Sequence, residues 1–165
     1  MTYFQLFDIP VQLKVNPAAL SGRFFELSRK YHPDHAVRDT EEVQAEALER
    51  SALLNKAYKT FQRPDDTIRY VLQLKGLLEE EEKYELPPGF LMEVLEINEA
   101  IMDSDDHSGI PAQLEKLQSD IYEPVNEIVE HYQEGITTEK ELLQVKEYYY
   151  KKKYLERIRQ QLAPK

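Results

Sequence analysis

Apolar residues return at spacings of three and four along almost the whole of this chain, and no stretch of any length alternates apolar and polar residues as a half-buried strand would. That period constrains everything else. Each segment has to bury one stripe of a helix against another helix, and with only five glycines to interrupt them the expected class is all-α. At 165 residues, 41% of them hydrophobic, the chain can build one ordinary domain or two small helical units.

A short first helix is expected over residues 3–7, ending near Pro10. Asn16 and Pro17 then supply an N-cap and a first-turn proline, and Leu20, Phe24, Leu27 and Tyr31 share one side of the helix that follows. It must stop before Pro33, because the residue preceding a proline is pushed out of the helical region. The next helix opens with Asp39 and Glu42 spaced as a capping box, buries Ala47, Leu54, Tyr58 and Phe61, and closes at Arg63-Pro64. A fourth, over residues 65–75, presents Ile68, Val71, Leu72 and Leu74, with Gly76 placed as its C-terminal cap. About six residues separate helices two and three, so the two should run antiparallel and expose the turn between them.

Composition shifts after Gly76, where "LLEEEEKYELPPG" joins four glutamates to Pro87, Pro88 and Gly89; residues 77–87 are expected to be an acidic linker, either free or packed. Three further helical patterns follow over residues 88–165 and predict an antiparallel three-helix bundle. The first covers 88–103. The second, over 111–133, keeps Leu114, Leu117, Ile121, Val125, Ile128 and Tyr132 in phase and should bend at Pro124. The third starts at Thr138, with Glu141 completing a capping box, and runs to about Leu162.

Several functions are disfavoured at this level. Acidic residues outnumber basic ones 31 to 21, which opposes nonspecific attraction to nucleic acid. "EYYYKKKYLERIR" near the end could be a base-stacking surface, but lysines on a solvated face and tyrosines packed with their hydroxyls near water account for it as well. Cysteine is absent, which removes disulfides and thiolate metal sites. No apolar run is long enough to span a bilayer and no presequence pattern precedes the first helix, so a cytoplasmic protein without membrane attachment is expected.

Two features go beyond packing. Tyr31, His32, Pro33, Asp34 and His35 sit at the expected helical turn, where Asp and Pro are ordinary turn formers and loop residues also carry recognition. A metal reading would draw on His32, His35 and Asp34 but lacks further convergent ligands. An acid-base reading has a histidine and a carboxylate but no nucleophile and no phosphate loop, so neither an enzyme nor a bound metal or cofactor is expected. The second feature is "PPGFLMEVLEINEAIM". On a helix, Phe90, Val94, Ile97 and Ile101 form a core stripe, while Leu91, Leu95 and Met102 form a second row with Met92 beside it, extended by Glu96 and Glu99. Either both rows are buried or the second is displayed to a partner, and the interleaved glutamates favour display.

The Tyr-His-Pro-Asp turn, preceded by a helix bearing Arg23, Arg29 and Lys30 and followed by a helix carrying "LLNKAYKTF", resembles the J domain of DnaJ-type co-chaperones over residues 1 to about 76. With the bundle and the "FLME" and "LE" of its first helix, the resemblance extends over almost the whole chain to the HscB family of iron-sulfur cluster biogenesis. It implies that His32, Pro33 and Asp34 engage a DnaK-like chaperone of the HscA type and stimulate its ATP hydrolysis, with Arg23, Arg29 and Lys30 steering the encounter. It further implies that Leu91, Met92, Leu95, Glu96, Glu99 and Tyr154 bind an IscU-type scaffold. J domains commonly carry lysine where His35 stands, which leaves one steering charge absent or pH-dependent. Eukaryotic members add an N-terminal cysteine-containing metal module that this sequence lacks, as a bacterial form would.

Overall fold

Thr2 and Gln5 start the fold with a reciprocal cap: the Gln5 amide donates to the Thr2 hydroxyl at 3.1 Å and the Thr2 amide to the Gln5 side chain at 2.8 Å. The computed structural model describes residues 1–163, among which there are helices and turns but no strand. Residues 164 and 165, the last two of the expected bundle, lie outside the described residues. The chain forms two compact units, Met1–Val71 and Leu72–Lys165.

In the first unit α1 (Tyr3–Phe7) sets Phe4 and Phe7 against Phe61 of α3 (Glu41–Phe61), with ring centroids 5.1 and 5.6 Å apart. Tyr3 stacks on Tyr70 of α4 (Pro64–Leu74) at 4.1 Å and donates its amide to the Tyr70 hydroxyl at 2.9 Å. An unpaired donor of the first turn is thereby satisfied. Asn16 caps α2 (Pro17–Lys30) by accepting from the Ala18 amide at 3.1 Å, and Phe24 stacks on Tyr58 at 4.1 Å. Phe24, midway along α2, meets Tyr58 late in α3, whereas Tyr31, just past the end of α2, meets Arg50, earlier in α3; the two helices are antiparallel.

The connection between them, residues 31–40, is longer than the spacing predicts, because a 3₁₀ turn at Pro33–Ala36 is inserted. The cap of α3 also differs from the sequence expectation. Thr40, not Asp39, accepts from the Val43 amide at 3.3 Å. Asp39 is engaged in closing the preceding turn, its amide donating to the Ala36 carbonyl at 3.0 Å and its carbonyl accepting from the Gln44 side chain at 3.1 Å. Pro64 occupies the first turn of α4, where its missing amide costs nothing. Buried Thr67 donates its hydroxyl to the Thr60 carbonyl at 3.0 Å, with the Arg63 carbonyl as second acceptor at 3.1 Å. At the end of α4, Gly76 adopts φ +71°, the Leu77 amide bonds the Leu72 carbonyl at 2.9 Å and the Gly76 amide the Gln73 carbonyl at 3.0 Å, the bonding pattern of a Schellman cap.

The second unit contains α5 (Pro88–Asp103), α6 (Ile110–Tyr122), α7 (Asn126–Glu130) and α8 (Glu139–Leu162). Phe90 shares one cavity wall with Ile121 and Pro124, and Ile97 and Ala100 share another with Gln113, so α5 and α6 run antiparallel. The expected second helix of the bundle is interrupted rather than merely bent. Pro124 has no amide to donate and crowds the preceding turn, so residues Glu123–Val125 form a 3₁₀ turn and a separate α7 follows. Beyond the break the phase of a continuous helix no longer holds: Val129 is buried and Ile128 only half-buried. Thr138 and Glu141 make the capping box of α8, which buries Leu142, Val145, Leu155 and Ile158.

Residues 77–87 are non-helical but packed within this unit. Leu78 is buried, Tyr84 stacks on Tyr150 at 4.5 Å, and Glu82 pairs with Lys146 at 2.7 Å. Burial, with Glu82 nearby, pushes the Tyr150 hydroxyl up to about 12. Lys75 pairs with Glu134, which also accepts from the Tyr132 hydroxyl at 2.6 Å.

Lys146, and more weakly the Glu79 amide at 3.0 Å, hold the Glu82 carboxyl below the ordinary glutamate range against the opposing effect of burial. A depressed carboxyl contributes stability that is fully present above its unfolded value and is lost as pH falls through the folded one. Urea unfolding of the native chain and Glu82→Gln should therefore differ by a constant amount at neutral pH. The difference should shrink as acid passes roughly pH 4.

Candidate functional site

Tyr31 closes α2 in the bridge region at φ −98°, ψ 8°, its amide donating to the Leu27 carbonyl at 2.9 Å. His32 then leaves helical geometry at φ −61°, ψ 131°, as a residue before proline must. Its ring replaces the usual short cap: Nδ1 accepts from the Asp34 amide at 3.2 Å, and its carbonyl accepts from the His35 amide at 3.1 Å. With Nδ1 so engaged, a neutral ring carries its proton on Nε2. Buried Ala36 anchors the 3₁₀ turn from beneath. The Asp34 side chain is 85% exposed, and its Oδ2 lies 3.5 Å from His32 Nδ1, whose lone pair already faces the Asp34 amide. The carboxylate is therefore presented to solvent on a turn whose geometry is fixed by proline and the histidine cap.

The predicted basic residues divide by position. Arg29 and Lys30 are exposed in the last turn of α2, where cations also suit the negative end of the helix dipole. Arg23 lies roughly 10 Å back along the axis and pairs with Glu26 at 3.7 Å. Sequence reasoning missed Arg50, which α3 brings to 5.5 Å from the Tyr31 ring, with Lys30 at 5.4 Å. Only the register of α3 on α2 places it there. The His32 and His35 rings meet edge to face at 6.5 Å, and among the described residues no group of three or more His, Asp or Glu side chains is arranged to hold a metal ion.

In the second unit Phe90, Val94 and Ile97 are buried and Ile101 is half-buried, which fixes the rotation of α5. The second row then stands outward, with Leu91 43%, Leu95 55%, Met92 66% and Met102 85% exposed. Glu99 is exposed with them. Glu96 lies about 100° round the helix from Leu95 and lines a hollow against Gln113 and Lys116 of α6, so it flanks the row rather than sitting in it. Tyr154, half-buried on α8, packs edge-on against Phe90 at 6.3 Å, next to the start of the row.

Residues 86–163 match the sequence model of the HSCB C-terminal oligomerisation domain, a span that contains α5 to α8. The chain is 30% identical over 140 residues to the co-chaperone protein HscB homolog of Shewanella baltica, covering 84% of this chain and 80% of that protein. It belongs to the HscB co-chaperone family. In structure it resembles human co-chaperone protein HscB, with a TM-score of 0.79 at 27% identity over 98% of this chain and 80% of the human one. The chaperone HscB from Vibrio cholerae gives 0.64 at 25% identity, covering 99% and 100%. As in the HscB structures, an N-terminal J domain is followed by a C-terminal helical domain.

The exposure of the α5 row has a direct stability consequence. Leu91→Ser with Leu95→Ser should change urea-unfolding stability by no more than about 0.5 kcal/mol per site, whereas Phe90→Ala on the same helix should cost about 3 kcal/mol. A large loss in the serine variant would mean that the row is covered.

Proposed function

We propose that this HscB-family chain binds an IscU-type iron-sulfur scaffold through its C-terminal domain, presents it to a DnaK-like chaperone of the HscA type in the cytoplasm, and stimulates that chaperone's ATP hydrolysis through its J domain. The observation that carries the reading is that each compact unit displays a surface its own packing does not use: the Asp34 carboxylate on the capped turn, and the Leu91, Leu95 and Met92 row on α5. Family membership supplies the co-chaperone setting.

The roles follow from the chemistry. Asp34 pairs with an arginine of the chaperone, Pro33 keeps the turn in one shape, and His32 both caps the turn and offers its other ring nitrogen. Arg23, Arg29 and Lys30, joined by Arg50, make a basic side that accelerates docking onto an acidic partner and loses effect with salt. On α5 the two leucines and Met92 bury against the scaffold while Glu96, Glu99 and Tyr154 frame the contact. The chain performs no chemistry itself. It raises the effective concentration of the scaffold at the chaperone by holding both on one polypeptide. Among the described residues no helix is long and apolar enough to cross a membrane.

Two variants of the full chain separate the two surfaces. Asp34→Asn should cut stimulation of the purified chaperone's steady-state ATPase at least tenfold while scaffold binding by calorimetry is unchanged, since a charged hydrogen bond contributes roughly 1.5–3 kcal/mol. Leu91→Ala with Leu95→Ala should do the reverse, abolishing scaffold binding and leaving scaffold-independent ATPase stimulation intact. Full stimulation by Asp34→Asn would remove the J-domain mechanism.

A further inference from the structure

A trough runs along α5 and α6 on the side of α5 away from the Leu91 and Leu95 row. One hollow of about 460 Å³ is lined by Phe90, Glu93, Leu117, Asp120, Glu147 and Lys151 among others. A second, of about 270 Å³, shares Glu93, Leu117 and Asp120 with it and continues past Glu96 and Lys116. The two therefore lie side by side, with Glu93, Leu117 and Asp120 between them. Apolar side chains form the floor and charged ones the rim, and the rim charges are unequal. Glu147 and Lys151 satisfy one another at 3.7 Å, with the Lys151 ammonium 5.6 Å from the Phe90 ring centre. Of what remains, Glu93, Glu96 and Asp120 face Lys116 alone, and none of the three carboxylates has an ion-pair partner among the described residues.

That arrangement selects its occupant. Covering three unpaired carboxylates with a neutral or acidic surface would strip their water and return nothing. A lysine or arginine lays its aliphatic stem along Ile97 and Leu117 and sets its charge at the rim. Glu96, which flanks the exposed row and also lines the trough, joins the two surfaces across α5. A helix is about 10 Å across, so one folded partner can contact both of its sides.

We propose that the α5–α6 trough receives a lysine- or arginine-bearing segment of the same scaffold that covers Leu91 and Leu95, so that the partner straddles α5. This rests on the scaffold-binding reading above. Glu93 and Asp120 set the preference for a basic segment, and both are exposed, so altering them leaves the core of the bundle in place.

The test is calorimetric titration of the purified IscU-type scaffold into the full chain, at about 50 mM and about 500 mM salt, spanning weak and strong screening. The proteins compared are native, Glu93→Gln with Asp120→Asn, Glu93→Lys with Asp120→Lys, and Leu91→Ala with Leu95→Ala, each checked for native helicity and melting. The neutral pair should weaken binding about tenfold at low salt and the lysine pair further, with both differences collapsing at high salt. Affinity and salt dependence equal to native in both trough variants, alongside loss of binding in the Leu91 and Leu95 variant, would overturn the trough and leave the scaffold reading standing. No binding by the native chain would overturn both.

Discussion

Burial of Phe90, Val94 and Ile97 sets the rotation of α5, and the recognition surfaces of the second unit follow from that one constraint. A helix has a single angular degree of freedom once its axis is placed. When its core stripe is buried, every other residue has a fixed direction. Leu91 and Leu95 then point outward on one flank, while Glu93 and Glu96 turn toward α6 on the other. The same logic holds in the first unit, where the stack of Phe24 on Tyr58 clamps α2 to α3 and leaves the turn beyond Tyr31 at the free end of the pair.

The turn shows how local chemistry is reused for recognition. A 3₁₀ turn opened by proline needs a cap, and His32 supplies it with a ring nitrogen where a hydroxyl or carboxylate would ordinarily serve. Asp34 is thereby released from capping. Had the aspartate capped its own turn, its oxygens would have been committed to backbone amides. The division of labour between neighbouring side chains keeps the carboxylate exposed and its backbone fixed, so little conformational freedom is lost when it meets a cation.

Much of this was legible in the linear sequence because the signals are short in range. Asn16 with Pro17, Thr138 with Glu141, and Gly76 each specify a helix end through contacts within a few residues, and the structure has all three. The choice between Asp39 and Thr40 was not legible, since both are competent caps and the selection depends on which one the preceding turn consumes. The break at Pro124 was visible as a proline, but the resulting shift of burial to Val129 was not. Nor did the acidity of residues 77–87 disclose that Glu82 would meet Lys146 and Tyr84 would meet Tyr150.

The all-helical class, the capped boundaries, the turn carrying His32, Pro33 and Asp34, and the presence of two apolar rows on α5 were determined by the sequence itself. Periodicity and capping act over at most a few turns and need no knowledge of distant neighbours. Tertiary structure alone decided which of those rows is covered, that Arg50 lies beside Tyr31, that Glu96 lies against Gln113 and Lys116 of α6, and that Glu93 and Asp120 face one trough. Each of these depends on how one helix packs against another, fixed by the register in which their buried stripes interlock.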